Sequence, residues 1–433
     1  MLTQEKIICT ILFSCAIISE FRRRLIANIL SMMLLYKSVL AGLLAVGLLS
    51  SCSHPSKKDS AHTDKPFEPQ KLLKYNPKDA DEKIDAFMQQ LHKKSAFNGN
   101  VLVAKKGKIL YEGSFGWANH LTRDSLKLDS KFELASVSKT MTGTAIMQLW
   151  EEGKIKLDQD VRDFYPNFPY AGVTIRLLLT HRSGMMNYVY FVDGLYRSQH
   201  LDQKKGISNK QVMDLIAQYK PAPFNKPNVR FLYNNSNFMV LGAIIEKVTG
   251  VPYAQYMQEH IFKPAGMTHT AVYSKAVYDK IPVDVVGHDR NSWKYSVAQN
   301  FLDGPVGDKG IYSTIGDLYL FDQALKAGRL IKASTQDSAY TAHVTPLIRG
   351  HFSYGYGWRI FESPGQKVVY HTGWWHGFRH IFLRDMKNDV TIVLLGNLVN
   401  GSLLHLDDLF KMTGMPVVRK GAYSGTGDAA DDQ

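Results

Sequence analysis

The stretch Phe132-Glu133-Leu134-Ala135-Ser136-Val137-Ser138-Lys139, running on through Thr140-Met141-Thr142-Gly143-Thr144-Ala145-Ile146-Met147 to Gly153, decides how the chain is read. It is a short buried run that turns into a helix. Ala145, Ile146, Leu149 and Trp150 repeat at the spacing of an apolar helix face, and Gly153 is a C-terminal stop. Ser136 and Lys139 are three apart and so share one helix face. An amine beside a hydroxyl, in a dry site near a helix N-terminus, can lose its proton and act as the base that serine needs to attack a carbonyl. Chance supplies a Ser-x-x-Lys in many chains of this size; here there is only one.

Two further stretches supply partners. Phe231-Leu232-Tyr233-Asn234-Asn235-Ser236 leads into a strongly periodic helix. A phenol beside a lysine can serve as acid or base, and an asparagine two residues on can donate to a substrate carbonyl and accept from the lysine. The bland alternative is a core tyrosine followed by an Asn-Asn turn. The rival Tyr165-Pro166-Asn167 has proline at its centre and precedes no periodic helix. Val368-Val369-Tyr370-His371-Thr372-Gly373-Trp374-Trp375 is an apolar strand ending in His-Thr-Gly. It puts a donor at a cleft edge, and its glycine allows a substrate backbone to come close. A lone strand histidine is more often structural, and Lys326-Ala327-Gly328 competes weakly because no strand leads into it.

In this order, on helix start, loop and strand, the three sets are those of the penicillin-recognising serine hydrolases. Residues 80–412 resemble the class C β-lactamase and D-alanyl-D-alanine carboxypeptidase family, which also contains esterases and aminopeptidases. Val173-Thr174-Ile175-Arg176-Leu177-Leu178-Leu179-Thr180-His181-Arg182-Ser183-Gly184 and Gly310-Ile311-Tyr312-Ser313-Thr314 with Asp317-Leu318 are similar to two more of its segments. The resemblance implies Ser136 as acylated nucleophile, Lys139 as its base or electrostatic support and Tyr233 as proton shuttle. Asn235 would orient the substrate amide, His371 with Thr372 and Gly373 would bind substrate, and the Ser136 and Trp374 N–H groups would form the oxyanion hole. It implies no cofactor and no metal. His371 stands where the β-lactamases of this class carry lysine. That departure points away from an efficient β-lactamase and toward a peptidase, amidase or esterase, and the Trp374-Trp375 pair hints at an apolar acyl or ester group. The competing reading is a sensor that binds penicillin or muropeptides with slow turnover or none.

The sequence has 433 residues, 45% hydrophobic and 21% charged, the balance of a globular protein with a sizeable core. The net charge is +13, of which residues 1–51 carry +3. The remainder is spread without an arginine-rich tract or a nucleic-acid module, so nucleic acid is not an expected partner. The three cysteines are Cys9, Cys15 and Cys52, which leaves the body without a disulfide or a cysteine-bound metal.

Residues 1–52 read as a leader. Two apolar blocks flank Glu20-Phe21-Arg22-Arg23-Arg24; from Met32 or Met33 onward, Lys37, an apolar core and Leu49-Ser50-Ser51-Cys52 make a secretory signal. Its end resembles a lipobox, which implies lipidation at Cys52, membrane attachment and a place in the bacterial cell envelope; residues 1–31 read as an over-called start. The bland alternative is an uncleaved membrane anchor. Polar residues 53–79 read as a tether and 413–433 as a disordered tail.

The spacing predicts a helix over 80–95, a hairpin joined through Lys106-Gly107, and helices over 174–183, 208–218, 238–250 and 253–262. Residues 186–207 show no clear period. Late strands are expected within 352–361, 368–372, 380–384 and 390–395, and a closing helix over 402–412. The expected fold is α+β, an α/β sandwich whose antiparallel sheet joins N- and C-terminal strands, flanked by helices and a mainly helical second lobe.

Overall fold

The computed structural model describes residues 67–273, 285–289, 296–344, 351–416 and 418. The leader, Cys52, residues 53–66 of the tether and the stretch Gly421–Gln433 lie outside the described residues.

Twelve strands are described: β1 (Gly99–Lys105), β2 (Lys108–Phe115), β3 (Trp117–Asn119), β4 (Asp124–Ser125), β5 (Phe132–Glu133), β6 (Ala271–Val272), β7 (Ile311–Ser313), β8 (Phe352–Tyr354), β9 (Arg359–Ser363), β10 (Gln366–Trp375), β11 (Phe378–Asp385) and β12 (Val390–Gly396). The helices are α1 (Pro69–Leu72), α2 (Glu82–Ser95), α3 (Ser138–Glu151), α4 (Ile175–Leu179), α5 (Tyr188–Ser198), α6 (Asn209–Tyr219), α7 (Asn235–Thr249), α8 (Tyr253–Met257), α9 (Lys263–Ala265), α10 (Ile315–Lys326), α11 (Ala333–Ala339) and α12 (Asp407–Thr413).

A seven-stranded antiparallel sheet runs in the order β2-β1-β12-β11-β10-β9-β8, so the two ends of the domain pair where β1 meets β12, Val101 opposite Leu394. Lys106 and Gly107 both have positive φ, 51° and 73°, as a tight hairpin turn requires. Side chains alternate between two cores, because successive strand residues face opposite sides. Val101 and Val103, with Ile392 and Leu394, join Ile84, Met88 and Leu91 of α2 and Phe410 of α12. Leu102 and Ala104, with Val393 and Leu395, join the helices between α3 and α10. Both faces of the sheet are therefore covered, and every residue of β12 is buried. The fold is α+β, with its mainly helical lobe built from residues 138–265.

The tether is shorter than the composition suggests. Phe67, Leu72, Leu73 and Tyr75 pack on the main core, and a Cβ at Gly266 would meet the Pro69 ring at 2.5 Å. At the other end Met415 and Val418 are buried beyond α12, so the packed domain extends past residue 412. Residues 188–198 form α5, which aperiodic aromatic residues concealed.

α3 and α7 are buried on all sides over most of their length, which marks central helices. Glycines let backbone come against them. A Cβ at Gly143 would lie 2.8 Å from the Tyr356 carbonyl oxygen, and one at Gly242 2.6 Å from that of Val306. Each helix begins at the same cleft.

Candidate active site

The nucleophile turn is built by β5, a 3-10 turn over Ala135–Val137 and the first turn of α3. β5 pairs with β7, Phe132 opposite Ser313 and Glu133 opposite Tyr312. Ala135 adopts a left-handed backbone, φ 48°, immediately before Ser136. For a residue with a Cβ this conformation is costly and is kept where the surroundings enforce it. Lys139 is fully buried and its Nζ lies 2.9 Å from Ser136 Oγ, 2.8 Å from Asn235 Oδ1 and 2.9 Å from the Asp308 carbonyl oxygen. The amide and peptide oxygens can only accept, so two Nζ hydrogens are committed to them. Ser136 Oγ can donate as well as accept, so a proton can be exchanged through that one contact.

Tyr233 and Asn235 sit on the loop entering α7, whose N-cap is Asn234; the Asn234 side chain accepts from Ser236 N. The Thr180–Met186 segment holds this loop in place. His181 Nδ1 accepts from Asn234 N at 3.1 Å, Leu232 N donates to the His181 carbonyl at 2.9 Å, and Asn234 Nδ2 donates to the Met185 carbonyl at 2.7 Å. Ser183 Oγ donates to Asn237 Oδ1. The His181 ring lies 4.3 Å from that of Tyr233, and burial, then Lys139, holds its pKa well below the usual histidine value. Tyr233 is thus stacked on a neutral imidazole. Lys139 Nζ is 5.1 Å from its ring centre and the Arg359 guanidinium 4.9 Å.

His371 differs from its expected place. Its side chain is fully buried rather than at the cleft edge. Nδ1 faces its neighbour's Thr372 carbonyl at 2.7 Å, which must accept, so Nδ1 carries the hydrogen and Nε2 accepts from Tyr354 Oη at 2.8 Å. Burial first, then Arg359 and Lys139, press its pKa well below the ordinary value. A neutral ring with both nitrogens engaged cannot grip a substrate carboxylate; the described cation beside Tyr233 on this flank is Arg359 of β9. Tyr354 and Arg359 carry no motif, and only the sheet register, Arg359 opposite Tyr370, brings them here.

β9 pairs with β10 only from Gln366 to Tyr370, and the nucleophile turn packs along β10 beyond that point. A Cβ at Gly373 would lie 2.5 Å from the Leu134 carbonyl and 3.4 Å from Ala135 Cβ. The glycine expected to admit substrate backbone instead admits the backbone that carries Ser136. Ser136, Asn235, Lys309, Trp374, Trp375 and Tyr190 line a cleft of about 160 Å³. Lys139, Tyr233 and His371 lie behind this lining. Ser136 and Trp374 thus flank one cleft, where their N–H groups could receive an oxyanion.

The family model described as Beta-lactamase matches residues 80–409. Penicillin-binding protein 4* of Bacillus subtilis (strain 168) is 33% identical over 331 residues, 72% of this chain and 71% of the relative. A penicillin binding protein from Bacillus halodurans superposes with a TM-score of 0.64 at 26% identity, covering 73% of this chain and 96% of that one. D-amino acid amidase from Ochrobactrum anthropi SV3 shares the fold, with a TM-score of 0.59 at 20% identity, covering 73% and 92%. A buried lysine on a serine, a shared fold and the matched model lead to one conclusion: the chain belongs to the β-lactamase family of penicillin-binding-protein-like serine hydrolases.

Proposed function

We propose that this protein hydrolyses an amide, peptide or ester bond through an acyl-enzyme on Ser136, as a D,D-peptidase or esterase rather than an efficient β-lactamase. One observation carries the reading: Lys139 Nζ joins Ser136 Oγ, Asn235 Oδ1 and the Asp308 carbonyl within 2.9 Å. Ser136 Oγ attacks the substrate carbonyl carbon while its proton passes to Nζ. The oxyanion is held by the N–H groups of Ser136 and Trp374. The C–N or C–O bond then breaks, and Tyr233 relays the proton from Nζ to the leaving group. Water repeats the sequence on the acyl-serine and releases the acid. Asn235, with one face on Lys139, orients the acyl-side amide. The neutral, enclosed His371 supports the departure from β-lactamase specificity, since the substrate carboxylate falls to Arg359 instead. Small peptides, amides, esters and slowly turned-over β-lactams are the substrate classes.

The signal ending at Cys52 supports export and attachment by a lipidated cysteine in a bacterial envelope, facing the wall. Radiolabelled palmitate should be incorporated by the full chain and not by Cys52→Ala.

The test of the chemistry is covalent labelling with a fluorophosphonate and a fluorescent penicillin, read by intact mass. The wild type should gain one adduct and Ser136→Ala none; a labelled Ser136→Ala protein overturns the assignment. Parallel turnover of a p-nitrophenyl ester, nitrocefin and a D-Ala-D-Ala peptide should rank nitrocefin last. A persistent adduct with no turnover of any substrate would favour the sensor reading.

A further inference from the structure

Behind the tryptophan wall of the cleft lie three buried titratable groups that the hydrolytic steps do not use. Glu133 belongs to β5, three residues before Ser136; Asp303 closes a 3-10 turn over Phe301–Asp303; His376 directly follows Trp374-Trp375. The imidazole lies between the two carboxylates, Nδ1 3.6 Å from Glu133 Oε2 and Nε2 3.4 Å from Asp303 Oδ2, with all three side chains less than one-tenth exposed. Each acid is anchored by another element. Tyr312 Oη donates to Glu133 Oε2 at 3.2 Å, and Trp375 Nε1 donates to Asp303 Oδ1 at 2.8 Å. The Asn300 N–H donates to Asp303 Oδ2 at 2.6 Å. His380 Nε2 meets the Glu133 carbonyl at 2.6 Å, so the backbone entering the nucleophile turn is tied to β11 as well. His376 itself is held with φ 45°, and a Cβ at Gly287 would strike its carbonyl at 1.9 Å.

We propose that Glu133, His376 and Asp303 form a proton-dependent clamp that presses the nucleophile turn against the end of β10 and thereby sets the spacing of the two oxyanion-hole N–H groups, with His376 as its positioning residue. The proposal rests on Ser136 being the acylated nucleophile. An imidazole facing one carboxylate from each nitrogen joins the two segments only as an imidazolium, because the neutral ring has a single N–H to offer. A divalent ion would use one nitrogen of the ring, whereas here both are directed at acids. Deprotonation leaves two buried carboxylates in mutual repulsion, one on the nucleophile side and one holding the Trp375 indole.

The surrounding charges agree with this reading. Burial disfavours the His376 cation, but Glu133 and then Asp303 outweigh it and raise the pKa above the ordinary value; Lys309 opposes them. Burial raises the pKa of Asp303, with His376 opposing and Glu133 adding to the rise. Lys309 is engaged with the hydroxyl of Tyr188 and the carboxylate of Asp308, and its Nζ lies 5.3 Å from the Trp375 ring. His288, beside Gly377, accepts the His120 N–H through Nε2. The clamp is therefore closed below the raised pKa of His376 and opens as pH rises through it. At the acid end it loosens as pH falls through the raised pKa of Asp303.

The experiment is a pH titration of the purified full chain with 13C-labelled histidine, alongside pre-steady-state acylation by a p-nitrophenyl ester. The signal lost in His376→Gln should titrate above the ordinary value of about 6.5. The wild-type acylation rate should fall on the alkaline side with that same midpoint. His376→Gln should acylate roughly 10- to 100-fold more slowly at neutral pH, the cost of a misplaced reacting group. Its KM should be little changed and its alkaline limb absent. Asp303→Asn keeps an acceptor for Trp375 and should move the His376 midpoint downward. If His376→Gln fails to fold, judged by its melting curve, that midpoint shift decides the matter. A His376 midpoint at or below the ordinary value overturns the clamp, as does wild-type rate and profile in His376→Gln. Tightly bound zinc whose removal by chelator alters the profile overturns it too. Absence of any Ser136 adduct in the wild type sinks the hydrolase reading instead, and the histidine titration still decides the clamp.

Discussion

Lys139 offers three hydrogens and meets three oxygens, and only one of the three can return a proton. That asymmetry is the residue-scale reason the Ser136 contact is the reactive one. It also assigns a task to Arg359. With His371 enclosed and neutral, the guanidinium 4.9 Å from the Tyr233 ring is the group available to a substrate carboxylate. Arg359→Met should raise KM for a peptide ending in a free carboxylate by roughly 10- to 100-fold, the range of a lost charge-assisted hydrogen bond. The amidated form of the same peptide should be hardly affected; equal losses on both would rule out the assignment. Ser136 and Lys139 were readable because three residues along a helix fixes a neighbourhood. The burial of His371 was not, because His-Thr-Gly spells the same letters whether its ring faces water or a tyrosine from another strand.

Between elements, the strongest electrostatic lock lies far from the cleft. Asp322 of α10 and Arg384 of β11 pair at 2.6 Å with both side chains fully buried, and Arg384 Nη1 also donates to Tyr340 Oη. Arg384 is held charged against burial by Tyr340 and Asp322, and Asp322 is held ionised, against its own burial, by Arg384 and Lys326. Removing one partner leaves a buried charge, which costs about 3–5 kcal/mol. Arg384→Met should therefore lower the urea-unfolding free energy by that amount, and Asp322→Leu added to it should restore a large part. A single variant that unfolds like the wild type would refute the lock. Long periodic elements such as α2 and α7 were legible, as was the hairpin with its Lys-Gly turn. The sheet of β5, β6 and β7 was not, because strands of two or three residues carry no period and pair across nearly 180 positions.

Across the whole molecule, three histidines are buried neutral: His181 and His371, both well below the usual pKa, and His380, lowered to about 4 chiefly by burial. Unfolding lets each take up a proton below about pH 6.5, so each withdraws about 1.4 kcal/mol of stability per pH unit as the solution is acidified below that value. The urea midpoint should fall from pH 7 to pH 5, and His380→Gln, which keeps a donor for the Glu133 carbonyl, should flatten that fall by about 2 kcal/mol. An unchanged slope would show that His380 is not neutral in the fold. His376 has the opposite sign, its contribution being lost toward alkaline pH.

The amino-acid sequence by itself determined the family, the nucleophile with its lysine, and the alternation that buries both faces of the sheet, since each depends on spacing along a few residues. Only the tertiary structure decided which cation stands beside Tyr233, why Gly373 must be glycine, and that Glu133, Asp303 and His376 meet. Those facts depend on the distance between segments that the sequence separates by up to 243 positions and that packing alone brings within 4 Å.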